Sequence, residues 1–248
     1  MTAPEACCTV PPVKSNYESK GEYIQITDDL KAYTIGPKNA KNAVIIVYDI
    51  FGYHPNAFQT ADILAEQLGF RVVIPDIFRG KPYTVDQLIR DEGYEKLAIW
   101  LNEVAPDQSV LNQIDAVVNH LRKDGAEDFG YIGYCWGGKF AFLVAKQETF
   151  TAAVGIHPSF TTEEHKIGIK IPIALLPSRD EPDFAPFIES LKKEPFGQKS
   201  IHHRFDDMPH GFAAARGDWS VSLTAQRAQE AIQLAANFLK ENVGVRYK

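Results

Sequence analysis

The stretch Tyr131-Ile-Gly-Tyr-Cys-Trp-Gly-Gly-Lys139 decides the fold. Just upstream, 128–132 is a short apolar run that reads as a buried strand. Just downstream, Phe140-Ala-Phe-Leu-Val-Ala145 is apolar all round and reads as a helix buried behind it. Between them Cys135 stands on the connecting turn, with Gly133 and Gly137 two places to either side. A side chain held on a sharp strand-to-helix turn is crowded by its neighbours, so these glycines present hydrogens where other residues carry Cβ atoms. The pattern is a nucleophile elbow, with cysteine where serine is usual.

Working outward, two further residues complete the pattern. Asp180 follows a predicted strand at 171–176, and His210 follows another at 199–205. Nucleophile, acid, histidine is the chain order of α/β-hydrolases, and neither chymotrypsin nor subtilisin shares it.

Upstream of the elbow, Val44-Ile-Ile-Val-Tyr48 and Arg71-Val-Val-Ile74 are β-branched runs of the kind found in strands covered on both faces. Ala57, Ala61, Leu64, Ala65 and Leu68 form an apolar stripe between them, with Pro55 and Asn56 suited to a helix start and Gly69 to its end. Strand, helix, strand implies parallel pairing. Helices are predicted over 85–104 and 110–122, and a last amphipathic helix carries Ala228, Ile232, Ala235 and Leu239. An antiparallel hairpin of 22–26 and 31–35 turns at Asp28-Asp29. The expected fold is α/β: a mostly parallel central sheet with helices on both faces, residues 21–248 forming one domain behind an irregular tail at 1–20. Asp49, Asp76, Cys135, His157, Asp180 and His210 all lie just beyond predicted strands, where open parallel sheets bind ligands.

The 248 residues carry 26 basic and 32 acidic side chains, a net charge of −6, with no dense basic run to follow a phosphate backbone. Nucleic acid is not an expected partner. The start lacks the basic and apolar regions of a secretory signal, and no apolar stretch approaches the roughly 20 residues of a membrane span. A cytoplasmic protein that touches no membrane is expected. Three cysteines do not make a disulfide framework, and Cys7 and Cys8 read as tail residues with no metal-binding partner nearby. No metal and no cofactor is expected. With a mixed surface and no heptad, the chain is expected as a monomer or weak homodimer.

With these residues in place, the chain resembles the dienelactone hydrolase family (carboxymethylenebutenolidase-like), and more closely its fungal branch. The motifs that carry the resemblance are Tyr48-Asp-Ile-Phe-Gly52 with His54-Pro-Asn56, Pro75-Asp-Ile-Phe-Arg-Gly-Lys-Pro82, the elbow, His157-Pro-Ser-Phe160, His210-Gly-Phe-Ala213 and the Cys-Cys tail. The resemblance implies an α/β-hydrolase acting on small esters or lactones without a cofactor. It maps Cys135 to the family nucleophile, His210 to the base and Asp180 to the acid. Asp183, in Pro177-Ser-Arg-Asp-Glu-Pro-Asp-Phe184, is the alternative acid, although capping of the following helix explains it as well. Asp49 stands where bacterial members carry a glutamate touching the resting thiol, and is one methylene shorter. Arg79 and Arg216 stand near positions that hold a substrate carboxylate.

The chemistry follows from these types. A free thiol has a pKa of about 8.5, so Cys135 needs help to ionise at neutral pH. His210 can take the proton, with an acid fixing its tautomer. The backbone N–H groups of Trp136 and Ile50 are the expected oxyanion donors. His157 is expected either to line the pocket or to satisfy backbone groups; His54 shapes the turn before Pro55. Thioester cleavage and general carboxylesterase activity would use the same acyl-enzyme chemistry, and a hydrolase fold that binds a small molecule without turnover is a separate class.

Overall fold

The computed structural model describes residues 4–5, 9–91 and 93–247. Cys7 and Cys8 lie outside the described residues. One eight-stranded sheet organises the chain: β1 (Glu22–Gln25), β2 (Lys31–Ile35), β3 (Asn42–Val47), β4 (Arg71–Pro75), β5 (Asp128–Tyr134), β6 (Phe150–Ile156), β7 (Ile173–Leu176) and β8 (Ile201–His202). Their spatial order is β1-β2-β4-β3-β5-β6-β7-β8. The first two pairings, β1 with β2 and β2 with β4, are antiparallel, and the rest are parallel.

Helices α1 (Pro55–Leu68), α2 (Val85–Arg90), α3 (Tyr94–Val104), α4 (Asp107–Lys123), α5 (Lys139–Val144), α6 (Ala185–Leu191) and α7 (Ser222–Asn242) fill the connections. Every residue of β4 and of β6 is buried. Because successive side chains point to opposite faces, burial without alternation means that both faces of the sheet are covered. The mostly parallel sheet, the strand-helix alternation and the position of α1 agree with the sequence reading.

Three expectations are corrected. The predicted helix over 85–104 is two helices, because the chain passes Gly93 at φ 97°, a conformation no helix continues through. The predicted strand at 199–205 shrinks to Ile201–His202 plus one bridge from Ser178 to Phe205, as suits an edge strand paired on one side. The strand before Asp180 begins at Ile173, not 171.

Residues 10–20 carry no regular element but are tied down at several points. Val13 N–H donates to the Ala215 carbonyl (2.9 Å), and the Val13 carbonyl meets His54 Nε2 (2.8 Å). Further along, Asp62, buried on α1, accepts from the Tyr17 hydroxyl (2.7 Å), the Lys20 N–H (2.9 Å) and the Tyr33 hydroxyl (2.5 Å). Removing this carboxylate leaves the buried Tyr33 hydroxyl without its acceptor and frees the Tyr17 and Lys20 donors to solvent. Asp62→Ala should therefore cost about 3 kcal/mol in denaturant unfolding and expose the segment before β1 to limited proteolysis.

Candidate active site

Tyr134 ends β5 and the chain turns at Cys135, whose φ is 54°. A 3₁₀ turn, Cys135–Gly138, precedes α5, so the residue sits at the C-terminal end of an interior strand with no exposed surface. A left-handed backbone is costly for a residue with a Cβ and persists only where the surroundings fix it. The fixing is visible. The Tyr131 hydroxyl donates to the Gly137 carbonyl (2.8 Å), and Ser159 N–H donates to the Cys135 carbonyl (2.9 Å). A Cβ on Gly133 would lie 2.1 Å from the Gly137 oxygen, and one on Gly137 would lie 2.4 Å from the Val47 oxygen. Both glycines are thus sites of close backbone approach, as their placement in the sequence implied.

His210 lies in the segment after β8 and is buried. Its Nδ1 is 2.6 Å from Glu181 Oε1, and both side chains are fully enclosed. The carboxylate on the imidazole is therefore Glu181, which corrects the reading of Asp180 or Asp183. Asp180 is exposed on the turn after β7 and accepts instead from the backbone N–H of His210 (2.7 Å). Asp183 is exposed too, accepts from the Ala185 N–H at the start of α6 (2.9 Å) and lies 3.4 Å from His202 Nε2. The turn at Arg179 and Asp180 throws those side chains outward and brings the next one back inside, where the second oxygen of Glu181 accepts from Ser178 N–H.

Burial by itself lowers the pKa of the His210 imidazole. Negative charge at Cys135, together with the Glu181 hydrogen bond and charge, outweighs that penalty and raises it to about 9. Nε2 is buried without a well-aligned hydrogen bond, so its coupling to sulfur is chiefly electrostatic in this resting geometry. Catalytic hydrogen bonds commonly tighten only when substrate is bound.

The loop after β3 adjoins the elbow, because Val47 and Gly133 are paired across the parallel strands. It carries Ile50, buried, whose carbonyl accepts from Tyr83 N–H (2.9 Å). Trp136 follows the sulfur in the 3₁₀ turn, its ring packed on Phe78 and Phe140 at centroid distances of 5.1 and 5.2 Å.

A sequence model of the dienelactone hydrolase family matches residues 30–243. The chain belongs to that family. It is thereby a carboxylic-ester hydrolase with the α/β-hydrolase fold. An uncharacterised AIM2 family protein of Schizosaccharomyces pombe is 29% identical over 232 residues, covering 91% of this chain and 92% of the relative, which fits the fungal branch. A carboxymethylenebutenolidase homologue of mouse is 34% identical over 128 residues, 50% of this chain and 49% of its own length. Among solved structures, a dienelactone hydrolase-like promiscuous phosphotriesterase from metagenomic libraries superposes with a TM-score of 0.60 at 16% identity, covering 90% of this chain and 98% of that one.

The remaining residues that the family resemblance singled out fall in different surroundings. The oxygens of Asp49 accept from the backbone N–H groups of Phe51 (2.9 Å) and Ala215 (3.1 Å), so this carboxylate joins the β3 loop to the segment after His210. Arg79 is turned to Asp29 (3.0 Å), to Gln113 (2.5 Å) and to the Asp76 carbonyl (3.1 Å). Arg216 is buried, with its guanidinium 4.6 Å from the centre of the Phe51 ring and its Nε on the Val10 carbonyl (2.5 Å). His157 is buried at φ 38°, its ring 5.0 Å from that of His210. Burial holds its pKa well below the usual histidine value, helped by the neighbouring charges of His210 and Arg216, so it is neutral.

Sequence reasoning missed Glu181 and Ser159. Glu181 had a signal: an acidic residue one place beyond the chosen aspartate, in an order that admits either acid. Ser159, whose Oγ lies 3.4 Å from Cys135 Sγ, stood inside the quoted motif His157-Pro-Ser-Phe160, but its approach to the sulfur shows only once β6 is placed beside β5.

Proposed function

We propose that the chain hydrolyses small esters or lactones through a Cys135-His210-Glu181 triad and an acyl-enzyme. The observation that carries this reading is the enclosed Glu181–His210 pair, with the imidazole electrostatically coupled to a cysteine at left-handed φ between two spaceless glycines.

The thiolate attacks the carbonyl carbon, and the oxyanion is met by the N–H groups of Trp136 and Ile50. Imidazolium His210 gives its proton to the departing alcohol oxygen; in a lactone that alcohol stays attached to the acyl group. Neutral His210 then takes a proton from water, the hydroxide closes on the thioester, and thiolate and imidazolium are restored. Glu181 holds the ring in one tautomer and offsets its charge. Asp49 serves here by fixing the loop that carries Ile50, and contact with the resting thiol is its second proposed role. A substrate carboxylate falls to Arg216, where it would replace the Val10 carbonyl on a buried guanidinium. Arg79 would first have to leave Asp29. His157, neutral and beside His210, would line the acyl pocket. A thiol nucleophile suits a reducing compartment such as the cytosol.

Covalent trapping tests the reading. Brief reaction with p-nitrophenyl acetate, acid quench and peptide mass spectrometry should find acetyl on Cys135 in the wild type. In His210→Ala the adduct should form far more slowly. Turnover by the wild type with no adduct, and equal turnover by Cys135→Ala, would reject it.

A further inference from the structure

β6 runs parallel to β5 with Ile156 opposite Tyr134, so the residues that leave the two strands emerge side by side. One of those exits is the elbow. The other, His157-Pro-Ser-Phe160, contains non-glycine residues at φ 38° (His157) and φ 59° (Phe160). Two left-handed residues bracketing a dipeptide are unfavourable for the backbone and call for a compensating reason, and such strain gathers at functional sites.

What the bent segment achieves is a double grip on Cys135. Ser159 donates its N–H to the Cys135 carbonyl at 2.9 Å and brings its hydroxyl to 3.4 Å from the sulfur, itself almost wholly buried. Pro158 seats the segment against the elbow, where a Cβ on Gly138 would lie 2.7 Å from the Pro158 Cα. The hydroxyl is therefore aligned by main chain, not by a mobile rotamer alone.

We propose that Ser159 is a positioning residue for the nucleophile, its hydroxyl donating to the Cys135 sulfur and favouring thiolate over thiol. The proposal rests on Cys135 being the nucleophile. A hydroxyl both donates and accepts, whereas a thiolate only accepts. Donation to a charged acceptor is stronger than to a neutral one, so the contact gains strength when the proton leaves. Hydroxyl donation also holds the sulfur lone pairs in a fixed direction while the imidazole holds the proton.

The other ionisable groups around the pair are His210 with Glu181 behind it, neutral His157, Arg216 beside His157, and Asp49 on its backbone N–H donors. Changing Ser159 alone removes none of them. The experiment is an ultraviolet thiolate titration of wild type, Ser159→Ala and Ser159→Thr. Each is referenced to the same protein carrying Cys135→Ala, which cancels Cys7 and Cys8.

Ser159→Ala should raise the Cys135 midpoint by about one pH unit, a tenfold loss of thiolate below it. Its acylation rate should fall about tenfold relative to wild type at pH values below the wild-type midpoint and approach the wild-type rate above both midpoints, with Ser159→Thr closer to wild type throughout. A midpoint unmoved in Ser159→Ala, with any activity loss equal at all pH values, would make the residue merely structural and overturn the proposal. An ordinary wild-type midpoint of about 8.5 with no acyl adduct would instead sink the nucleophile reading beneath it.

Discussion

Glu181→Gln should lower kcat by about a thousand- to ten-thousandfold on a simple ester, whereas Asp180→Asn should stay within about tenfold of wild type. The two residues are neighbours in sequence and both carry a carboxylate, so their placement separates the outcomes. Glu181 meets the His210 Nδ1 inside the protein at 2.6 Å, while Asp180 meets the backbone N–H of His210 from an exposed turn. Glutamine keeps the volume of glutamate but offers an amide to the ring. The ring can then settle in the wrong tautomer, and an imidazolium loses the charge that steadied it.

The same substitution moves the pH profile, with a sign that can be worked out. The folded-state pKa of His210, about 9, lies above the ordinary value of about 6.5. Its protonated form thus stabilises the fold fully below pH about 6.5, and that contribution fades as pH rises through about 9. The imidazolium is also the acid that protonates the leaving oxygen, so ester hydrolysis by the wild type should decline on the alkaline side near pH 9. Removing the Glu181 charge should shift that decline to lower pH. An equal loss in Glu181→Gln and Asp180→Asn, with superimposable pH profiles, would move the orienting role away from Glu181.

Gly133→Ala should cost about 3 kcal/mol or more and leave little folded protein, while Gly69→Ala should cost only about 1 kcal/mol. Both look like substitutions by one methyl group, and the difference lies in what the methyl meets. At Gly133 the Cβ would lie 2.1 Å from the Gly137 oxygen and 2.4 Å from its carbonyl carbon, both backbone atoms of the turn that holds the thiol. Neither can move without shifting Cys135. At Gly69, the end of α1, φ is 66° but nothing lies within 4 Å, so backbone strain is the whole cost. Denaturant unfolding of the two variants against wild type measures the contrast; equal losses would mean that the elbow can relax around a side chain.

The elbow was legible because its constraints are local. Glycines at fixed offsets from one cysteine, between a strand-like and a helix-like run, leave few ways for the chain to turn. The hairpin, α1 and the final helix were legible for a similar reason, since apolar spacing reports directly on which face is buried. Periodicity failed where it ran across a break. From 85 to 104 the apolar pattern hides the left-handed turn at Gly93 that divides α2 from α3. It also lengthened β8, whose place at the sheet edge leaves only Ile201 and His202 in regular pairing.

The sequence by itself determined the order of strands and helices, the cysteine on its turn and the histidine after the last strand, because each is encoded within a few neighbouring residues. Tertiary structure decided which carboxylate faces the ring, which hydroxyl approaches the sulfur, and that Arg79 turns to Asp29 while Arg216 meets Val10. The partners of the ring and of the sulfur come from segments far apart in the chain, and they meet because β5, β6, β7 and β8 lie side by side and parallel and release their C-terminal ends together. A turn that rotates by one residue there exchanges an exposed aspartate for a buried glutamate, and no local pattern records which way it has turned.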